Sequence, residues 1–189
     1  MCGRFQFTAD DPDERIAAIL DMLERTAPGG YTLGEIAPGI AAPGVIAQGE
    51  KLAPVPAVFG FSLREGKLLL NARSETAGVK PTFADCLKRQ RIVLPADAFF
   101  EWDRETREKY RFTVPDLPTF YLGGLYRLEE DRVRFVILTR AANADMAPVH
   151  HRMPFILGPG AVRPWLTREE DARKLLAEEG PRLTGEKVS

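Results

Sequence analysis

Cysteine and histidine are scarce in this sequence: Cys2 and Cys86, His150 and His151 are all that 189 residues contain. Two cysteines cannot build a disulfide framework, so the composition points to a reduced, cytoplasmic protein. No pair among these four residues has the usual ligand spacing, so a zinc site is not expected. Long apolar runs are also missing. None approaches the roughly 18 residues of a membrane-spanning helix, and no basic-then-apolar leader precedes the chain, so neither membrane insertion nor export is expected. Net charge is nearly absent, −1 from 26 Lys and Arg against 27 Asp and Glu. Bulk charge therefore does not mark a nucleic-acid binder. Its distribution is less even: the first thirty residues hold six acids and three arginines, whereas Asn71 to Arg91 hold five basic residues and two acids. A local basic face and an ordinary solvated surface both fit that pattern. No repeat, low-complexity block or linker divides the chain. Its 44% apolar content suffices for the core of a single domain spanning 1–189.

Periodicity assigns the elements. In "DPDERIAAILDMLERT", Ile16, Ile19, Leu20 and Leu23 fall at helical spacing behind an acidic first turn. "TREEDARKLLAEEG" predicts a second helix over 167–179, with Thr167 and Glu170 spaced as a capping box and Gly180 as the stop. Pro81 opens a short third helix in "PTFADCLKRQ". Between them, "VPAVFGFSL", "GKLLLNA", "RIVLP", "DAFFEW", "TFYLGGLYRL", "VRFVILT" and "MPFILG" read as short strands, with "LREGK" as a hairpin turn. "APGIAAPGVIAQGEKLAPVPA" reads as an ordered loop, because its Pro and Gly alternate with apolar residues. The expected class is α+β, a single domain with a curled, mainly antiparallel sheet as core and flanking helices.

Four places carry reactive side chains. "MCGRF" puts Cys2 directly behind Met1. Removal of Met1 leaves a 1,2-aminothiol, an α-amine and a thiol on adjacent carbons, which traps aldehydes. "LNARSET" carries Asn71, Arg73 and Glu75 after an apolar strand, and Asn71 alone also reads as a turn or cap residue. In "AFFEWD", Glu101 lies among Phe99, Phe100 and Trp102, where partial desolvation suits a carboxyl to acid–base work. An outward-facing position of an alternating strand is the competing view. "PVHHRMPFIL" carries His150, His151 and Arg152, where a structural histidine is the simpler assignment. Cys86, in a helical stretch, reads as a small buried apolar residue.

Together, "MCGRF", "LNARSET", "PADAFFEW", "ILTRAAN" and "VHHRMPFIL" occur in the order and spacing of the SRAP family, which the chain resembles from Met1 to about Trp165. Members of that family shield abasic sites in single-stranded DNA. The resemblance implies that Cys2, exposed by loss of Met1, links covalently to the abasic-site aldehyde through a thiazolidine. It implies that Asn71 orients the new α-amine, that Glu101 is the acid–base group and that His150 stands beside the opened sugar. It places Arg73 and Arg152 on DNA phosphates, Trp102 next to DNA and Arg4 at a further phosphate. No cofactor is implied. The implied partner is single-stranded DNA containing abasic sites, with replication-fork proteins as further partners. A monomer is expected, associated with the nucleoid when bound to damaged DNA. The same site is a candidate for cleaving its own Met1–Cys2 bond. One departure stands out: Phe59 in "VFGFSLREGK" occupies the place of a tryptophan common in the family, and the turn after it is shorter.

Two other classes remain open on the residues alone. N-terminal-nucleophile amidotransferases also begin Met-Cys-Gly, but an Asn-Gly-Glu segment accompanies that start and this chain contains no Asn-Gly pair. A non-covalent single-stranded DNA-binding module, with Cys2 incidental, predicts DNA retention that is sensitive to salt and indifferent to Cys2.

Overall fold

Alternation places the first strand: β1 (Arg4–Phe7) buries Phe5 and Phe7 and turns Arg4 and Gln6 outward. The computed structural model describes residues 2–188, and Met1 lies outside the described residues. Helix α1 (Glu14–Thr26) starts where the Asp13 carboxylate accepts the backbone N–H groups of Arg15 and Ile16, at 3.0 and 2.9 Å. Its Ile16 and Leu23 are buried, as the helical period requires.

The Pro- and Gly-rich stretch that follows is not a loop. After β2 (Gly34–Ile36), it forms a hairpin of β3 (Ala41–Gln48) and β4 (Lys51–Phe59), paired antiparallel from Ala41↔Val58 to Gln48↔Lys51. Its prolines are tolerated because each strand is paired over only part of its other edge. The second partner of β3 meets it at Val45 and Ile46, and that of β4 at Ala57 to Phe59, so Pro43, Pro54 and Pro56 lie outside those ladders. Gly60, at φ +105, then breaks the chain direction before β5 (Phe61–Ser62), which pairs with β6 (Leu68–Leu69) across the expected turn.

The chain continues through β7 (Asn71–Arg73), α2 (Ser74–Ala77) and α3 (Pro81–Arg89). Next come β8 (Arg91–Ala96), β9 (Ala98–Trp102), β10 (Lys109–Thr113), β11 (Phe120–Glu129) and β12 (Arg132–Ala141). The last elements are β13 (Arg152–Pro154), β14 (Ile156–Leu157), α4 (Val162–Thr167), α5 (Glu169–Ala177) and β15 (Thr184–Val188). The capping box is not formed. Thr167 ends α4, donating its hydroxyl to the Arg163 carbonyl at 2.9 Å, and α5 begins behind an extended Arg168. That helix stops at Ala177, short of Gly180. A Cβ at Gly180 would fall 2.8 Å from the Met153 Cε, so the glycine there serves close packing.

Two sheets result. One has the order β15-β10-β9-β1-β2. The other runs β13-β12-β4-β3-β8-β11-β14, with β7 beside β12, and β11 also pairs with β12. The strands β12-β4-β3-β8-β11 therefore close on themselves, which is the curled α+β core expected. Pairing is antiparallel except where β12 meets β4 and β7. The interior is aromatic: Phe5, Phe59, Phe99, Phe112, Phe120 and Phe135 belong to one buried cluster, and helices α1, α3 and α4 cover a second. Phe59 is fully buried and stacked on Phe135 at 5.0 Å, so the residue that departs from the family pattern is a core residue and offers no wedge to a ligand. Among the described residues, no helix is long and apolar enough to cross a membrane.

Candidate active site

Cys2 is buried just before β1, 1% exposed, with Sγ 3.7 Å from the Arg4 carbonyl oxygen. Burial, and secondarily the Glu101 carboxylate, push its thiol up to about 12. The sulfur is thus held as S–H at neutral pH and is not a resting thiolate. Asn71 reaches it from the start of β7, a strand fixed by its parallel pairing with β12 at Ile137↔Asn71. The Asn71 Nδ2 donates to the Cys2 carbonyl oxygen at 2.9 Å, joining residues 69 apart in sequence. This side chain is neither a turn nor a cap; it holds the start of the chain.

Glu101 lies in β9, between β1 and β10. Alternation puts it on the face of Phe99, turned inward, with Phe100 and Trp102 on the other face. It is 4% exposed, which excludes the outward-facing alternative and leaves its charge close enough to act on the Cys2 thiol.

His150 ends the turn after β12 and is 8% exposed. Its Nδ1 lies 3.0 Å from the backbone N and 3.2 Å from the carbonyl oxygen of Arg152, so that residue's backbone fixes the orientation of the ring. The His151 ring stacks on it at 4.5 Å but is exposed, and the Arg104 Nη1 lies 3.4 Å from its Nδ1. A cavity of about 510 Å³, lined in part by Arg104, His150 and His151, opens beside the pair.

Arg152 sits inside the protein, 8% exposed. Its two Nη atoms donate to the Glu75 carboxylate at 2.5 and 2.8 Å, and Nη2 also donates to the Thr139 carbonyl at 2.5 Å. The Arg152 hydrogen bond holds the Glu75 carboxyl down at about 2. Arg73, at the end of β7, is exposed. Arg4 and Trp102 lie together on the outer face of the five-stranded sheet, the guanidinium 5.9 Å from the ring.

Cys2, Asn71 and Glu101 are therefore brought together directly, and Arg152 adjoins His150 through its own backbone. Arg4 and Trp102 form a separate outer group. Sequence reasoning gave no role to Glu75 or Thr139, which anchor Arg152, although both stand in the motifs "LNARSET" and "ILTRAAN". Their partner is 77 and 13 residues away, beyond any local pattern.

Comparison with known proteins fits this geometry. The family described as SOS response associated peptidase (SRAP) matches residues 1–189, past Trp165 to the last residue. The chain is similar to the abasic site processing protein YedK of Escherichia coli (strain K12), 27% identical over 183 residues that cover 89% of this chain and 81% of that protein. It is 33% identical to the abasic site processing protein YoaM of Bacillus subtilis (strain 168) over 109 residues, 53% of this chain and 48% of that one. A crystal structure of a Bordetella bronchiseptica protein has the same fold, with a TM-score of 0.76 at 23% identity over 100% of both chains. With the match extending over 1–189, the chain belongs to the SOS response associated peptidase (SRAP) family.

Proposed function

We propose that this protein processes abasic sites in single-stranded DNA by linking itself to them through Cys2 after Met1 is removed. Relatives named as abasic site processing proteins support the substrate class. The observation that carries the covalent chemistry is the setting of Cys2, tied by Asn71 at 2.9 Å and buried beside the Glu101 carboxylate. A free α-amine has an ordinary pKa of about 8, so a fraction is neutral at pH 7 and attacks the C1′ aldehyde of the opened sugar. Loss of water gives a Schiff base. The Cys2 S–H then adds across C=N: sulfur bonds to carbon, Glu101 takes the thiol proton, and that proton ends on nitrogen. The thiazolidine so formed lacks the imine that would promote strand cleavage by β-elimination. Both nucleophiles belong to one residue, which gives ring closure a high effective concentration.

Asn71 orients the amine, and Glu101 serves dehydration, ring closure and their reversal. His150 hydrogen-bonds the sugar oxygen as the ring opens. Arg73 and Arg4 meet phosphates, Trp102 supplies an aromatic face, and Arg152 acts through its hold on His150 and Glu75 as well as by its charge. Met1 is removed by this site or by an aminopeptidase.

The test is an oligonucleotide with one abasic site. The wild type is expected to give an adduct that survives denaturation without borohydride. Cys2→Ala keeps the amine alone and is expected to give only an imine, seen when a reductant traps it. Cys2→Ser is expected to form an adduct that is lost on heating. A heat-stable adduct from Cys2→Ala without reductant would overturn the proposal.

A further inference from the structure

Four adjacent strands bring one set of side chains to the outer face of the five-stranded sheet. Lys109 of β10 is in register with Trp102 of β9, Phe100 with Arg4 of β1, and Gln6 of β1 with Glu35 of β2. Since Phe100 and Trp102, and Arg4 and Gln6, are two residues apart, all share one face. The Lys109 Nζ lies 4.1 Å above the Phe100 ring and 5.6 Å from that of Trp102, and the Arg4 guanidinium lies 5.9 Å from the Trp102 ring. Both cations converge on one carboxylate. The Arg4 Nη1 is 2.6 Å from Glu35 Oε1, and the Lys109 Nζ is 3.2 Å from Oε2. None of the three is deeply buried, at 38%, 24% and 37% side-chain exposure for Arg4, Lys109 and Glu35.

Two cations on aromatic rings with a single exposed acid between them describe an anion site holding an anion of its own. We infer that Arg4 and Lys109 form a phosphate site for single-stranded DNA, occupied by the Glu35 carboxylate when DNA is absent, with Trp102 beside it to stack a base. This inference rests on the reading of the protein as one that acts on DNA; its new content is the role of Lys109 and the displacement of Glu35. The geometry supports exchange. A carboxylate and a phosphate present similar oxygen pairs to Arg and Lys, and the aromatic rings keep both cations in place when the acid swings away. The Arg4 hydrogen bond also holds the Glu35 carboxyl below its usual range, so the occupant is charged at neutral pH. The net result is a damped electrostatic surface, consistent with a chain whose overall charge is −1. Undamaged strands are held weakly, and retention falls to the covalent bond.

The test uses the full chain and an oligothymidylate without an abasic site, with binding measured by fluorescence anisotropy across a salt series. Glu35→Gln is expected to tighten binding several-fold at low salt, because the phosphate no longer has to displace a carboxylate, with a log–log salt slope close to the wild type's, since the same phosphate is met in both. Lys109→Ala is expected to weaken binding and flatten that slope. Glu170→Gln, an exposed acid on α5 paired with Lys174, is the control and is expected to leave affinity unchanged. Unchanged or weaker binding by Glu35→Gln would overturn the inference, because Glu35 would then be a mere clamp. Equal tightening by Glu170→Gln would overturn it too, as an effect of net charge alone. Adduct formation by the wild type on abasic DNA is scored in parallel. If that adduct forms while Glu35→Gln binds no tighter, only the displacement fails; if Glu35→Gln binds tighter and no adduct forms, only the covalent chemistry fails.

Discussion

Cys2 is the proposed nucleophile, yet it is expected to be a poor target for a thiol-alkylating reagent. Its thiol is pushed from 9.0 to about 12, so its thiolate population near pH 8 is about a thousandth of that of an ordinary cysteine. Exposure of 1% slows the reagent further. Burial is the larger cause and the Glu101 carboxylate the second, so Glu101→Gln removes the charge and leaves the desolvation. The assay is iodoacetamide labelling at pH 8 of the chain with Met1 in place. Peptide mass spectrometry separates Cys2 from Cys86, and a short peptide of the first residues serves as reference. Cys2 in the folded protein is expected to react about a thousand-fold more slowly than in the peptide. In Glu101→Gln it is expected to react faster than in the wild type and still more slowly than in the peptide. Labelling of the folded wild type at the peptide's rate would refute the protonated thiol, and with it the order in which the amine attacks first.

Glu75→Gln is expected to destabilise the fold by about 1–2 kcal/mol in urea unfolding, reduced from the roughly 3–5 kcal/mol of a broken buried pair because the Glu75 side chain is 49% exposed. Since the folded carboxyl sits at about 2 against an ordinary 4.5, that stabilisation is complete above about pH 4.5 and lost as pH falls toward 2; the variant's stability is expected to converge with the wild type's over that interval. Gly123→Ala would put a Cβ 2.4 Å from the Phe155 Cδ1, and a loss of about 1–3 kcal/mol in the same assay is expected from the overpacking. Arg73→Glu, on an exposed side chain, is expected to weaken DNA binding and flatten its salt dependence at unchanged stability. Arg152→Glu is expected to lower stability as well, because it sets two carboxylates against each other in a buried position; an unchanged urea midpoint would show that Arg152 is not the internal anchor described above.

Elements with a strong local period were legible before the fold was known. Helix α1 has its apolar stripe and its Asp13 cap, and the strands of the β11–β12 hairpin are apolar enough to declare themselves. Strand β3 was not legible, because its Pro and Gly content mimics a loop and only the partial pairing of its edges makes them tolerable. Strand β15, the edge of its sheet, is charged and largely exposed, and β10 beside it is short and only half-buried, so neither shows a clear apolar alternation in the sequence. The capping box at Thr167 failed for the opposite reason. Its spacing was right, but Thr167 already belongs to α4, whose Trp165 is anchored in the core. At the site, Cys2 and Glu101 stand out by their settings in the sequence, whereas Asn71, and His150 in preference to His151, are singled out only by the family resemblance. The bidentate pair of Arg152 with Glu75, and the sharing of Glu35 by Arg4 and Lys109, join residues across separate strands and leave no trace in local spacing.

The most direct measurement is the intact mass of the product formed with single-stranded DNA carrying one abasic site, taken after denaturation and without reductant. The expected mass is that of the protein lacking Met1 plus the DNA, less one water. A chain whose start is blocked by an uncleavable tag retains the thiol and has no α-amine at Cys2, so it is expected to give no adduct. A tagged, uncleaved chain that crosslinks as well as the native one would contradict the aminothiol chemistry.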